Sequence, residues 1–206
     1  QLGFEIEEQT KAGISRLTSN LKNVSAERIQ AELVKLLVSP HPDYLRTAYE
    51  TGITKEFLPE FDLCMETEQN TPYHCFTVGE HILHSLLYVE ADKVLRLTML
   101  LHDIAKPVMK TTDENGRDHF KRHAAVGEEM SKKILRRLKF DNDTIEKVSR
   151  LIRYHDDRPE GQMRAVRRAM NRIGEDLFPL YLEVQKADML AQSEYCRDEK
   201  IKRQAD

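Results

Sequence analysis

A His-Asp dipeptide, His102-Asp103, stands at the end of an apolar run, Leu95 to Leu101, and is followed by Ile104-Ala105-Lys106-Pro107. Consecutive helical residues point in different directions, about 100° apart, and rarely serve one ion together. At the last turn of a helix, however, an imidazole nitrogen and a carboxylate oxygen can reach the same cation, leaving the second carboxylate oxygen to bridge to another. Such a centre needs partners from elsewhere in the chain. His81 precedes the pair and His123 follows it, each by 21 residues, and His155-Asp156 and a late carboxylate, Asp188, come after. Asp156 and Asp157 are the alternatives to Asp188, because a mid-helix Asp is commonly solvated. Mixed His and Asp ligation suits Mn, Fe, Co, Ni or Mg better than structural zinc, so one or two divalent ions are expected.

The histidines are also unevenly placed. All eight but His41 fall between positions 74 and 155, where even spreading would put about three. A lone helical histidine is more often satisfied or exposed than a ligand, and that reading holds for His41 and His84, which have no patterned partner. Three cysteines, Cys64, Cys75 and Cys196, are too few and too far apart for a disulfide framework or a thiolate zinc knot. Cys64 and Cys75 read as buried packing residues.

The elements that must position these groups are helices. The chain has 206 residues, 33% of them charged and 40% hydrophobic, with 8 Gly, 7 Pro and no Trp. That composition fits one compact domain or two small lobes. No apolar run approaches the roughly 18 residues of a membrane span, and the N-terminus lacks a basic-then-apolar signal pattern, so a cytoplasmic location and no membrane partner are expected. Net charge is −3, which gives no global positive field to attract nucleic acid; any RNA contact must be local.

The first lobe is expected over residues 1–69. Its clearest helix is Ser25 to Val38, where Ile29, Leu33, Leu36 and Leu37 form one apolar face and Pro40 and Pro42 end it. A weakly periodic helix over Glu7 to Leu21 and short pieces after Asp43 and over Thr54 to Leu58, the last stopped by Pro59, complete it. The second lobe is expected over 70–206. Helices are predicted over His74 to Glu90, Asp92 to Ala105 with Pro107 closing it, His123 to Leu138, Asp141 to Tyr154, Gly161 to Arg172, and Asp176 to at least Tyr195. Met109 to Phe120 is polar and contains the tight-turn dipeptide Asn115-Gly116.

The order His81, His102-Asp103, His123 and His155, Asp188 resembles the HD superfamily of metal-dependent phosphohydrolases. The resemblance implies that His81, His102, Asp103 and Asp188 hold a first divalent ion, and that His123 and His155, with Asp103 bridging, hold a second. His74 is a rival to His81, seven residues earlier on the same helix face; Glu80-His81-Ile82-Leu83 looks more like the family's first-helix motif, which leaves His74 near the substrate. Gln1-Leu2-Gly3-Phe4-Glu5-Ile6, Val24-Ser25-Ala26-Glu27-Arg28-Ile29, Glu32-Leu33, Lys35-Leu36-Leu37, Gln69-Asn70 and Tyr73-His74 extend the resemblance over nearly the whole chain, to the bacterial CCA-adding tRNA nucleotidyltransferase and poly(A) polymerase family. The fold implied is all-α, an HD-type helical bundle with a small N-terminal helical neck. No nucleotidyltransferase head motif is present, so the chain reads as an excised neck-plus-HD segment or a truncated relative. The head domain and tRNA would then be partners through a parent protein.

Hydrolysis of a phosphate mono- or diester follows from that resemblance, with a nucleotide or a 2′,3′-cyclic phosphate as substrate. Asp103 is expected at the reaction centre, Lys106 as a point charge beside a substrate phosphate, and His74, His119 or His155 as a proton donor to the leaving oxygen. His119 reads equally as loop surface. Two basic clusters remain: Lys132, Lys133, Arg136, Arg137 and Lys139, then Arg164, Arg167, Arg168 and Arg172 along one helical stripe. The stripe can track a phosphate backbone, which makes Arg164 and Arg168 candidates for substrate binding. The competing reading is a solvated face, since acids are plentiful and no aromatic residues interleave. The alternative function is a non-catalytic RNA-positioning body with a vestigial or structural metal site.

Overall fold

A computed structural model describes residues 3–70, 76–159 and 162–192. The order of elements is α1 (Glu8–Leu17), α2 (Ala26–Leu37), α3 (Leu45–Glu50), α4 (Ile53–Phe57), α5 (Pro59–Met65), α6 (Val78–Leu86), α7 (Lys93–Leu101), α8 (Lys106–Met109), β1 (Thr111–Thr112), β2 (Asp118–His119), α9 (His123–Arg137), α10 (Asn142–Tyr154), α11 (Met163–Ile173) and α12 (Phe178–Leu190). The fold is all-α apart from the two-residue strands. These pair antiparallel, Thr111 with His119 and Thr112 with Asp118, around the Asn115-Gly116 turn.

One apolar core joins the segments before and after Gln69. Leu33 and Leu37 of α2, Leu45, Leu58, Phe61 and Cys64 are buried in the same cluster as Val78, Ile82 and Leu86 of α6, Leu97 and Leu101 of α7, Ile134 of α9, and Val148 and Ile152 of α10. A second, smaller cluster of Leu151, Ala169, Ile173, Leu177 and Tyr181 fastens α11 and α12 to α10. Each helix contributes the apolar positions that share one of its faces, which is why the 3.6-residue periodicity located most of them.

The ends of the elements differ from expectation where proline was read only as a stop. Pro59 is the first residue of α5, and Pro107 lies in the first turn of α8; both sit where no intrahelical N–H partner is required. The helix expected over Asp92 to Ala105 therefore ends at Leu101, and residues 102–105 form a tight turn between α7 and α8. The helix expected over Glu7 to Leu21 gives way after Leu17 to a 3-10 segment, Thr18–Asn23.

Two glycines set how closely the site-bearing helices approach. A Cβ on Gly79 would fall 2.7 Å from the Met65 backbone, so α6 meets the end of α5 too closely for any side chain at position 79. A Cβ on Gly127 would lie 3.3 Å from Ile152 and 3.6 Å from the His102 carbonyl, so α9 nests against both α10 and the 102–105 turn.

Candidate metal centre

His81 lies on α6, His102 and Asp103 in the turn after α7, His123 at the first residue of α9, His155 just beyond α10 and Asp188 near the end of α12, and all six are buried. Five segments far apart in the chain thus deliver six chemically active side chains to one place. His102 is held because its Nδ1 lies 2.7 Å from the Met99 carbonyl. His123 and His155 are held in the same way by the carbonyls of Phe120 and Ile152, each at 2.8 Å, and His81 Nδ1 lies 3.4 Å from the Ala191 carbonyl. A carbonyl accepts only, so at His102, His123 and His155 the proton sits on Nδ1 and Nε2 presents its lone pair inward, whereas His81 Nε2, 3.0 Å from the accepting Asp188 Oδ1, donates there unless a cation takes the proton's place.

The inward atoms form two groups that share Asp103. His81 Nε2 lies 3.2 Å from His102 Nε2 and 3.0 Å from Asp188 Oδ1, while Asp103 Oδ2 is 3.5 Å from His81 and 3.3 Å from His102. On the other side, His123 Nε2 lies 3.1 Å from His155 Nε2, and Asp103 Oδ1 is 3.4 Å and 3.7 Å from these two. Among the described residues neither Asp103 oxygen has a hydrogen-bond partner, and Lys106 Nζ at 2.7 Å from Oδ2 is an ion pair without that alignment.

These atoms fit divalent ions. The lone pairs of His123 and His155, facing one another at 3.1 Å, repel unless a cation separates them. Donor-to-donor spacings near 3 Å are also the edges of a coordination shell whose bonds are about 2.1 Å long. His81, His102, Asp103 and Asp188 would hold one ion, and Asp103, His123 and His155 a second.

The electrostatics follow from burial against charge. Burial pushes the Asp103 carboxyl up, but His102 and Lys106 outweigh it and hold it well below the usual carboxylate range. Burial acts likewise on Asp188, and His81 and His102 hold it well below that range too. Burial lowers His123, whereas at His155 the contacts with Asp103 overcome burial and raise it.

A cleft of ≈ 550 Å³ opens onto the centre, lined by Asp103, Lys106, His123, His155 and Asp188 and rimmed by Arg117, His119, Phe120, Lys121, Asp156, Arg158 and Gln192. Lys106 reaches Asp103 and also donates to Gln69 Oε1 at 2.9 Å. His119 lies in the rim on β2, its Nε2 2.9 Å from Asp113 Oδ2. The hairpin is fixed to the chain before α6 through Asp118, which accepts from the Asn70 backbone N–H at 2.8 Å and pairs with Lys110 at 2.9 Å. Tyr181 and Gln185 of α12 hold the turn after α10 by donating to the Asp157 carbonyl.

Of the residues singled out from sequence, His81, His102, Asp103, His123, His155 and Asp188 come together, with Lys106 and His119 beside them. Arg164 and Arg168 do not: they lie on the exposed face of α11 and line no part of this cleft, because the apolar side of α11 fixes that helix with its arginines outward. Asp156 is at the rim, and Asp157 pairs with Arg172 at 3.3 Å. His74 lies outside the described residues. Sequence reading missed Arg158, whose Nη2 is 3.4 Å from Asp188 Oδ2, together with Gln69, Arg117 and Lys121. The only local signal for Arg158 is its position three residues after His155.

Residues 71–206 match the HD domain family, and residues 3–65 match a family described as the probable RNA and SrmB-binding site of polymerase A. The chain is 34% identical over 202 residues to a CC-adding tRNA nucleotidyltransferase of Thermus thermophilus, covering 92% of this chain and 46% of that protein. It is 31% identical over 198 residues to an A-adding tRNA nucleotidyltransferase of Deinococcus radiodurans, covering 91% and 45%. A bifunctional uridylyltransferase/uridylyl-removing enzyme of Ruegeria pomeroyi is 29% identical over 168 residues, covering 70% of this chain and 17% of that one. The chain thus spans just under half the length of the two tRNA nucleotidyltransferases it matches.

Proposed function

This chain belongs to the HD domain family, as the neck-plus-HD segment of the CCA-adding tRNA nucleotidyltransferase type, and on that premise we propose that it is a metal-dependent phosphohydrolase module acting within a tRNA nucleotidyltransferase-like protein. The observation that carries this reading is the double cluster of His and Asp ligand atoms sharing Asp103 at the floor of a cleft whose rim carries Arg117, Lys121 and Arg158. The substrate class is a phosphate mono- or diester, with a nucleotide or a 2′,3′-cyclic phosphate as the specific choice. A relative named for removing a uridylyl group supports hydrolysis over a purely structural role, since that removal breaks a phosphoester bond. tRNA, and a nucleotidyltransferase head, would be partners through the parent protein.

When bound, divalent Mn, Ni, Co, Fe or Mg supplies Lewis-acid polarisation of the phosphoryl oxygen and activation of water near neutral pH. The protein does the rest. Asp103 offers one oxygen to each half of the centre and so fixes the spacing between the two halves. Lys106 and Arg158 place fixed positive charge where the phosphate enters. His119, paired with Asp113, can hold a proton at the rim for the departing oxygen. Gln69 keeps Lys106 at its post by accepting from its ammonium.

The test is phosphate release from bis-p-nitrophenyl phosphate, 2′,3′-cyclic AMP and 2′-, 3′- and 5′-AMP with each metal added, alongside His81→Gln and Asp188→Asn. Metal-dependent turnover that falls more than about a hundredfold in both variants is the expected result. Folded, metal-loaded protein that turns over none of them would overturn the reading. It would favour an RNA-positioning body instead, a role supported by the match of residues 3–65 to an RNA-binding family.

A further inference from the structure

The two basic segments noted in the sequence meet on one face, outside the metal cleft. A second cleft, ≈ 800 Å³, lies between α9, α10 and α11 and is lined by Lys132 and Arg136, by Arg150, Arg153 and Tyr154, and by Asn171 and Arg172, together with two glutamates, Glu128 and Glu146. It shares no lining residue with the metal cleft. Most of its cations already face carboxylates: Lys132 pairs with Glu128, Arg150 with Glu146, Arg153 with Glu128 and Arg172 with Asp157. Among the described residues Arg136, Arg164, Arg167 and Arg168 make no ion pair, though Glu129, held by Lys132, also stands near Arg136; all four arginines are exposed. Residues 162–174 of the chain contain four arginines and no acid.

We infer that this face binds the phosphate backbone of double-helical RNA, as a second RNA contact separate from residues 3–65. Arg164, Arg168 and Arg172 follow one another at i, i+4 and i+8, a stripe about 12 Å long at 1.5 Å per residue. That is long enough to reach several successive phosphates of one strand. Arg172 sets the inner end of the stripe at the cleft, and Arg136 stands on its α9 wall. Among the described residues a half-buried Tyr154 is the one aromatic that lines the cleft, with Arg153 and Arg172 both 5.7 Å from its ring, so they offer no run of aromatics to unpaired bases. Backbone contact with a duplex is what remains. A membrane surface fits less well: the apolar side of α11, Ala169 and Ile173, is buried against Leu151, Leu177 and Tyr181 and cannot insert. The placement has a consequence for the module. Tyr154 lines this cleft and its chain neighbour His155 lines the metal cleft, so a duplex held here lies next to the centre.

The inference deepens the tRNA part of the proposed function and is tested without the hydrolytic part. A fluorescein-labelled RNA hairpin with a duplex stem is titrated with the whole chain in EDTA, by anisotropy, across a series of salt concentrations. Arg136→Gln/Arg164→Gln/Arg168→Gln is compared with the Lys triple at the same positions. The wild type should give log K against log salt with a slope near −4, and the Gln triple should flatten it by about 3 and lose more than about tenfold in affinity at 0.1 M salt, with the Lys triple largely restoring both. All three should share one circular dichroism spectrum, the changed side chains being exposed. No binding, or an unchanged slope in the Gln triple, would overturn the inference. So would equal binding of poly(U), or arginine-dependent binding to phosphatidylserine vesicles in place of the hairpin. Loss of phosphate release with hairpin binding intact would refute only the hydrolytic reading.

Discussion

Lys106→Met should destabilise the metal-free protein strongly and the metal-loaded protein weakly. The Lys106 ammonium lies 2.7 Å from Asp103 Oδ2, with side-chain exposures of 8% and 2%. At an effective dielectric of about 20 that separation corresponds to roughly 6 kcal/mol of attraction, part of which offsets the cost of taking both charges out of water. Removing one member of a buried pair costs about 3–5 kcal/mol, because the other charge stays buried and unpaired. Methionine keeps most of the stem's packing, so a value near 3 kcal/mol is expected in EDTA. For a chain of this size that is a fall in Tm of about 6–12 °C. With saturating Mn2+ the cation neutralises Asp103, and what is lost reduces to the hydrogen bond to Gln69, about 1 kcal/mol. By linkage, the variant then binds Mn2+ more tightly by the difference, about 2 kcal/mol or roughly thirtyfold, even as phosphate turnover falls. Melts followed at 222 nm in EDTA and in Mn2+, with metal titration by calorimetry, measure both quantities. An equal Tm penalty in the two conditions, or weaker metal binding by the variant, would refute the placement of Asp103 between Lys106 and the ions.

The remaining predictions concern the scaffold. Asp141 caps α10 by accepting from the Thr144 N–H at 2.8 Å and the Thr144 hydroxyl at 2.7 Å; these contacts draw its pKa down to about 2, and Asp141→Ala should cost about 1 kcal/mol at neutral pH by urea denaturation. Because the folded-state pKa is the lower one, this stabilisation is complete above about pH 4 and fades as pH falls toward 2, so the gap between wild type and variant should shrink at pH 3. Gly79→Ala gains about 1 kcal/mol of helix propensity but drives a Cβ to 2.7 Å from the Met65 backbone, so a net loss of about 1 kcal/mol is expected; a raised urea midpoint would mean that α5 and α6 are not so close. Lys139, just past the end of α9, has a φ of 61° and its N–H bonds back to the Arg136 carbonyl; Lys139→Gly should raise stability by about 0.5–1 kcal/mol in the same assay.

The amino-acid sequence by itself determined the helical class, most helix positions and the His-Asp pair with its candidate partners, leaving His74 against His81 and Asp156 or Asp157 against Asp188 open, because each rests on information carried locally. Apolar residues at i, i+4 and i+7 mark a face whatever that face meets, and a His-Asp pair with outlying His and Asp partners has few uses other than metal binding. Local signals told half of the matter at Pro59, which ends α4 as expected but also opens α5, and misled at Pro107. The ring forbids a helix from passing through but welcomes one that begins, and which of the two occurs depends on what the next turn packs against. The family resemblance already implies that the donors divide around Asp103; only the tertiary structure decided the geometry, with Asp103 turned toward His81 and His102 through one oxygen and toward His123 and His155 through the other. It alone found Arg158 and Gln69 at the site and moved Arg164 and Arg168 away from it. The physical reason is the same in each case. A helix is rotated into place by burying its apolar stripe, and that rotation fixes where its polar residues point. A sequence specifies the stripe, but not the neighbouring helices toward which the opposite face is then turned.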